Sequence, residues 1–91
     1  VPAAVAASTA TGIAGGIRLS GGFPPDAVRL QVFEATSSSL SAATKLPEEP
    51  TSLFWDRTGL AVGDTRWYWL RAVSAEGNVS ALTGPVSATA L

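Results

Sequence analysis

An all-β, seven-stranded antiparallel sandwich is the fold class this sequence predicts, and three observations predict it. Glycines and prolines from Gly12 to Pro85 cut the chain into pieces about five to ten residues long, lengths that suit strands and fall short of ordinary helices. Within those pieces the apolar residues recur with a period of two. The 91 residues are enough for one domain with one modest core and too few for two, so 1–91 reads as a single domain.

The elements follow in chain order. Val5, Ala7 and Thr9 alternate weakly and give a first strand. Ile17 and Leu19 alternate across Arg18 and Ser20 within Gly16 to Gly22, the second strand, with Phe23 just beyond. From Ala27 to Ala35, Val28, Leu30 and Val32 alternate with Arg29, Gln31 and Phe33, a third strand. Thr36 to Ser41 is a serine-rich loop, and Ala43 to Leu46 is a short fourth strand. Ser52 to Arg57 offers Leu53 and Trp55 on one face and Phe54 and Asp56 on the other, a fifth. The run from Arg66 to Val73 has no breaker and carries Trp67, Tyr68 and Trp69 in succession, so it is the best-defined strand. Val86, Ala88 and Ala90 alternate after Pro85, which confines that stretch to an edge or to a strand's first residue. A helix over Asp26 to Leu46 is the rival reading, opened by an N-cap-like Asp. Its apolar residues fit alternation better than a 3.6-residue stripe, and the serine cluster weakens any helix.

Composition excludes most chemistry. Cys, His and Met are absent, which removes disulfides, thiol nucleophiles, imidazole bases and Cys or His metal sites. Glu48 and Glu49 lie between Pro47 and Pro50 in a solvated loop, and Asp56 and Asp64 border a turn. No serine has a histidine partner, and Lys45 is the only lysine that a Ser–Lys pair could use. No phosphate loop and no spaced calcium loop is present. Asn78-Val79-Ser80 matches the glycosylation tripeptide and reads as turn chemistry. We therefore expect no enzyme activity, no metal and no cofactor.

Six basic residues against seven acidic ones leave a formal charge of -1, no footprint for nucleic acid. No apolar run approaches the ~20 residues of a spanning helix, so membrane insertion is not expected. Charged residues are 14% of the chain, against roughly 25% in an average domain. Such a surface suits a domain covered by neighbours, and equally a β-rich domain with Thr and Ser on its outer faces. The chain starts at Val1 rather than Met, which predicts excision from a longer chain or processing. Its first ten residues carry no positive charge and do not match a secretory signal.

The segment Leu60-Ala61-Val62-Gly63-Asp64-Thr65-Arg66-Trp67-Tyr68-Trp69-Leu70-Arg71-Ala72-Val73 resembles the signature of fibronectin type III domains, an immunoglobulin-like sandwich family. There a Leu begins a corner, a Gly turns it, and an alternating strand ends in a small residue and Val. The following Ser74-Ala75-Glu76-Gly77-Asn78-Val79-Ser80 is similar to the hairpin of bacterial and phage versions. At lower specificity Val1 to Thr9, Gly16 to Gly22 and Val28 to Ala35 resemble the family's first three strands. Two departures stand out. The family's corner tyrosine would fall at Arg66, so either Tyr68 makes a shifted corner or Arg66 covers its absence. The family's second-strand Trp is missing, and Trp55 or Phe23 is expected to fill its volume.

The resemblance implies one sheet of the first, second and fifth strands and another of the third, fourth, sixth and seventh. The expected core is Ile17, Leu19, Val28, Leu30, Val32, Leu53, Trp55, Leu60, Tyr68, Leu70, Ala72 and Val86. With Leu70 and Ala72 inward, Trp67, Trp69, Arg71 and Val73 face out. Phe33, Arg29 and Gln31 face out on the neighbouring third strand, so Phe33, Trp67, Trp69 and Arg71, with Arg29, are the candidate binding residues of one exposed patch. That patch is a self-contained ladder, a contact face for an adjacent domain or subunit, or a stacking platform for a cell-surface glycan.

Low charge, small-residue loops and the Gly77-Asn78 hairpin are most similar to such domains in the tail-tip host-specificity proteins of phages and prophages. This implies a non-catalytic spacer and docking module in a virion tail or outside the cell. The alternative is a carbohydrate-binding or spacer module attached to a secreted bacterial enzyme.

Overall fold

The computed structural model describes residues 5–91, and for residues 6–8 the backbone alone. Seven strands follow in order: β1 (Ala6–Ile13), β2 (Gly16–Gly22), β3 (Arg29–Ala35), β4 (Thr44–Lys45), β5 (Trp55–Thr58), β6 (Thr65–Val73) and β7 (Thr83–Thr89). One 3₁₀ turn, Leu40–Ala42, interrupts the serine-rich loop. The sheets run β1-β2-β5 and β4-β3-β6-β7, with every pairing antiparallel. The seven-stranded sandwich and its division into sheets match the sequence expectation, and no α-helix forms over Asp26 to Leu46. Residues 1–4 of the expected first strand lie outside the described residues.

Two strands extend past their sequence signal. β1 continues to Ile13 through Thr11 and Gly12, pairing Gly12 with Ile17. Gly12 permits this because a Cβ there would collide with the carbonyl oxygen of Thr89. β7 begins at Thr83, before Pro85, and its register against β6 shifts between Tyr68 and Leu70. Gly84 sits in that irregularity at φ +135°, a conformation side chains disfavour. Pro85 is thus inside the sheet-edge strand, where its missing N–H breaks no interior ladder. β1 closes this side of the sandwich: Val5 O accepts from Thr83 Oγ1 at 3.0 Å, and Leu91 N donates to Ile13 O at 3.0 Å.

Between the sheets Ile17, Leu19, Leu30, Val32, Tyr68, Leu70 and Ala72 are buried, as alternation predicts. Val5 and Leu46 join them, neither expected in the core. Leu53, Trp55, Leu60 and Val86 pack against this cluster but stay partly exposed. Val28 is a correction. It is 46% exposed, because it precedes β3 at the open end of the sheet, where only its N–H is held, by Val73 O. Trp55 and Phe23 both pack on the core.

Candidate functional site: the outer face of β3 and β6

The register of β3 against β6 places the candidate residues. Phe33 stands opposite Trp69, Gln31 opposite Arg71, Ala35 opposite Trp67 and Arg29 opposite Val73. Tyr68, Leu70 and Ala72 fill the space between the sheets, so Trp67, Trp69 and Arg71 project from the other side, as a pleated strand requires. Phe33, Trp67, Trp69, Arg71 and Arg29 therefore share one face.

Exposure corrects part of that picture. Trp69 is only 4% exposed, although it lies on the outer face. Phe33 flanks its indole on one side. On the other the β7 backbone lies close, since a Cβ on Gly84 would stand 3.2 Å from Trp69 Cδ1. Phe33, Trp67 and Arg71 are half-buried. The Arg71 guanidinium lies over the Phe33 ring, 5.1 Å from its centroid, and Arg71 Nε donates to Gln31 Oε1 at 2.6 Å.

A polar chain continues across the face. Gln31 Nε2 donates to Glu49 Oε2 at 3.3 Å, Lys45 Nζ reaches the same oxygen at 3.3 Å, and Arg29 Nε lies 3.1 Å from Glu49 Oε1. Hydrogen bonds from Gln31 and then Lys45 hold the Glu49 carboxyl below the usual range. The residues of this face thus make much of their contact with one another.

A second polar cluster, not foreseen from the sequence, joins the two sheets. Glu34 follows Val32 on the inward face of β3, and Arg57 follows Trp55 on the inward face of β5. Glu34 Oε2 accepts from Tyr68 Oη at 2.8 Å and from Arg57 Nε at 2.9 Å. Extending the period-two pattern by one step at Glu34 and Arg57 was the available signal. Tyr68 therefore makes no shifted corner. At the corner position Arg66 donates to Thr65 O and pairs with Asp64 at 3.6 Å.

Among the described residues no ligand-sized cavity opens, and no three His, Cys, Asp or Glu side chains gather in a metal-binding arrangement. Glu48, Glu49, Asp56 and Asp64, the acids weighed for catalysis, do not converge on a cleft. No helix among the described residues is long and apolar enough to cross a membrane.

No family model matches the sequence, and no curated protein matches it. Solved structures do resemble the fold. An Fn3-like protein from Clostridium thermocellum superposes with TM-score 0.82 at 23% identity, covering 99% of this chain and 94% of that one. A structure described as FN3tt superposes with TM-score 0.73 at 21% identity, covering 99% and 95%. Strand order, sheet division and these counterparts together give the chain the fibronectin type III fold.

Proposed function

We propose that the chain is a non-catalytic module that spaces and docks neighbouring parts of a larger assembly. The fold is one that typically serves as a non-enzymatic module, but a fold alone does not fix a role. The observation that carries the reading is where the chain enters and leaves. Val5 immediately precedes the start of β1 and is held to β7 by Thr83, whereas Leu91 is held beside the far end of β1 by Ile13 and Gly15. Eight strand residues at ~3.3 Å each separate those ends by roughly 25 Å. Flanking segments would therefore be held apart along a body whose longest dimension is 38 Å.

Within that reading, the loop and hairpin style favours a phage or prophage tail-tip protein, in a virion tail or outside the cell. Adjacent domains or subunits are then the partners. The alternative, a glycan-binding module of a secreted enzyme, needs open aromatic rings. Burial of Trp69 and the guanidinium over Phe33 count against it.

Small-angle scattering of the parent polypeptide, with and without residues 1–91, tests the spacer role. The deletion is expected to shorten the maximum dimension by roughly 25 Å, the separation of the two attachment ends. An unchanged dimension overturns the role. Mass spectrometry of purified tail particles tests the location, and a hydrolase domain in the same polypeptide would replace it with the alternative.

A further inference from the structure

We propose that Arg29 and Arg71 form a carboxylate-binding fork on the outer face of β3 and β6, receiving an acidic side chain of a neighbouring protein. The proposal rests on the reading of the chain as a docking module and names the chemistry of its partner. The register puts the two arginines on one face as diagonal neighbours, about 7–8 Å apart at their bases. One carboxylate can span two guanidinium groups at that separation. Arg71 is held in place by its Nε bond to Gln31 and by the Phe33 ring beneath it. Its terminal nitrogens, like those of Arg29, donate no hydrogen bond to any described residue.

Arg29 is held less completely. Its Nε–H is buried without a hydrogen bond, alone in this among the side-chain polar atoms of the described residues. Glu49 Oε1 is 3.1 Å away but off the N–H direction, so the pair attracts without a hydrogen bond. The Nε is closed to solvent and lies beside Glu49, so the terminal nitrogens of the partly exposed guanidinium are what Arg29 offers a partner. Charge points the same way. Arg29 and Lys45 share Glu49, and Arg71 pairs with no carboxylate among the described residues, a local basic excess in a chain of net charge -1.

The carboxylate belongs to a protein more readily than to an acidic sugar. Sugar stacking needs open ring faces. Here one Phe33 face is taken by Arg71 and Trp69 is covered. An acidic side chain needs only the guanidinium edges, whose paired N–H groups match its two oxygens.

Nitrogen-15 spectroscopy of the whole chain tests this with two probes, a capped hexaglutamate peptide and trigalacturonic acid. The peptide is expected to shift the Nε–H signals of Arg29 and Arg71 saturably, and less at high salt. Arg18, on the other sheet, should stay still. Arg29→Gln and Arg71→Gln should each weaken binding at least about tenfold, and Arg18→Gln should not. Retained dispersion of the backbone signals shows that each variant is folded. No shift at millimolar peptide, equal shifts at Arg18, unaffected Gln variants, or binding of the galacturonate alone would each overturn the proposal. Failure here with the scattering result intact removes the fork and leaves the spacer role standing.

Discussion

The hydroxyl of Tyr68 donates to Glu34 Oε2 at 2.8 Å across a directly opposed β6–β3 pair, and Arg57 of the other sheet donates to the same oxygen at 2.9 Å. The carboxylate thus ties the layers together at the side where β5 and β4 are sheet edges. Glu34 and Arg57 are only 15% and 28% exposed, so the pair is weakly screened. Carbon packing elsewhere in the core is non-directional, whereas this cluster fixes how the sheets face each other.

Tyr68→Phe removes one charge-assisted hydrogen bond and leaves the ring in place. Urea denaturation should show a loss of about 1.5 kcal/mol, since Glu34 keeps Arg57. With Arg57→Ala also made, the two losses should not add, because both partners use one oxygen. Strict additivity would show that Tyr68 and Arg57 act independently.

Alkali provides a second readout of the same group, which is the chain's only tyrosine. Burial first, and then the hydrogen bond to Glu34, push the Tyr68 phenol well above the ordinary tyrosine value. The folded state therefore holds its proton more tightly than the unfolded chain does. That contribution is complete below a pH of about 10 and is lost as the pH rises toward the folded value. Phenolate absorbance should then appear only as the chain unfolds, and Tyr68→Phe should flatten the alkaline fall in stability. A native-state titration near pH 10 would contradict the burial of the hydroxyl.

The three tryptophans should rank by burial rather than by which face they occupy. Trp69→Ala should cost about 3–5 kcal/mol in urea unfolding, as for a covered large aromatic. Trp67→Ala and Trp55→Ala, both half-buried, should cost about half as much. A near-neutral Trp69→Ala would mean that the β7 backbone does not lie on the indole.

Two glycines should respond differently to a single methyl group. Gly12→Ala drives a Cβ into the Thr89 carbonyl, where backbone cannot yield cheaply, and should cost more than about 2 kcal/mol. Gly15→Ala meets open space and pays only for φ +73°, about 1–2 kcal/mol. Equal losses in thermal or urea unfolding would show that β1 does not approach β7 this closely.

How much was legible from the chain depended on whether the physics was local. Alternation from Arg66 to Val73 placed Tyr68, Leu70 and Ala72 inward and Trp67, Trp69 and Arg71 outward, because a pleated strand has a period of two whatever surrounds it. The same period carried one step further would have placed Glu34 beside Val32. An acid at the end of an apolar run reads as the end of the interior until its partners, Tyr68 and Arg57, are seen.

Strand spacing and turn residues by themselves determined the seven strands, since each rests on backbone geometry encoded within a few residues, whereas their division into two sheets came from the resemblance to a known family. Only the tertiary structure decided which outward side chains are covered and which apolar ones are bare. Trp69 is hidden because Gly84 brings β7 onto its indole from fifteen residues away, and Val28 is bare because it falls before β3. Side-chain direction belongs to the strand that carries it. Exposure is set by neighbours that arrive from distant parts of the chain.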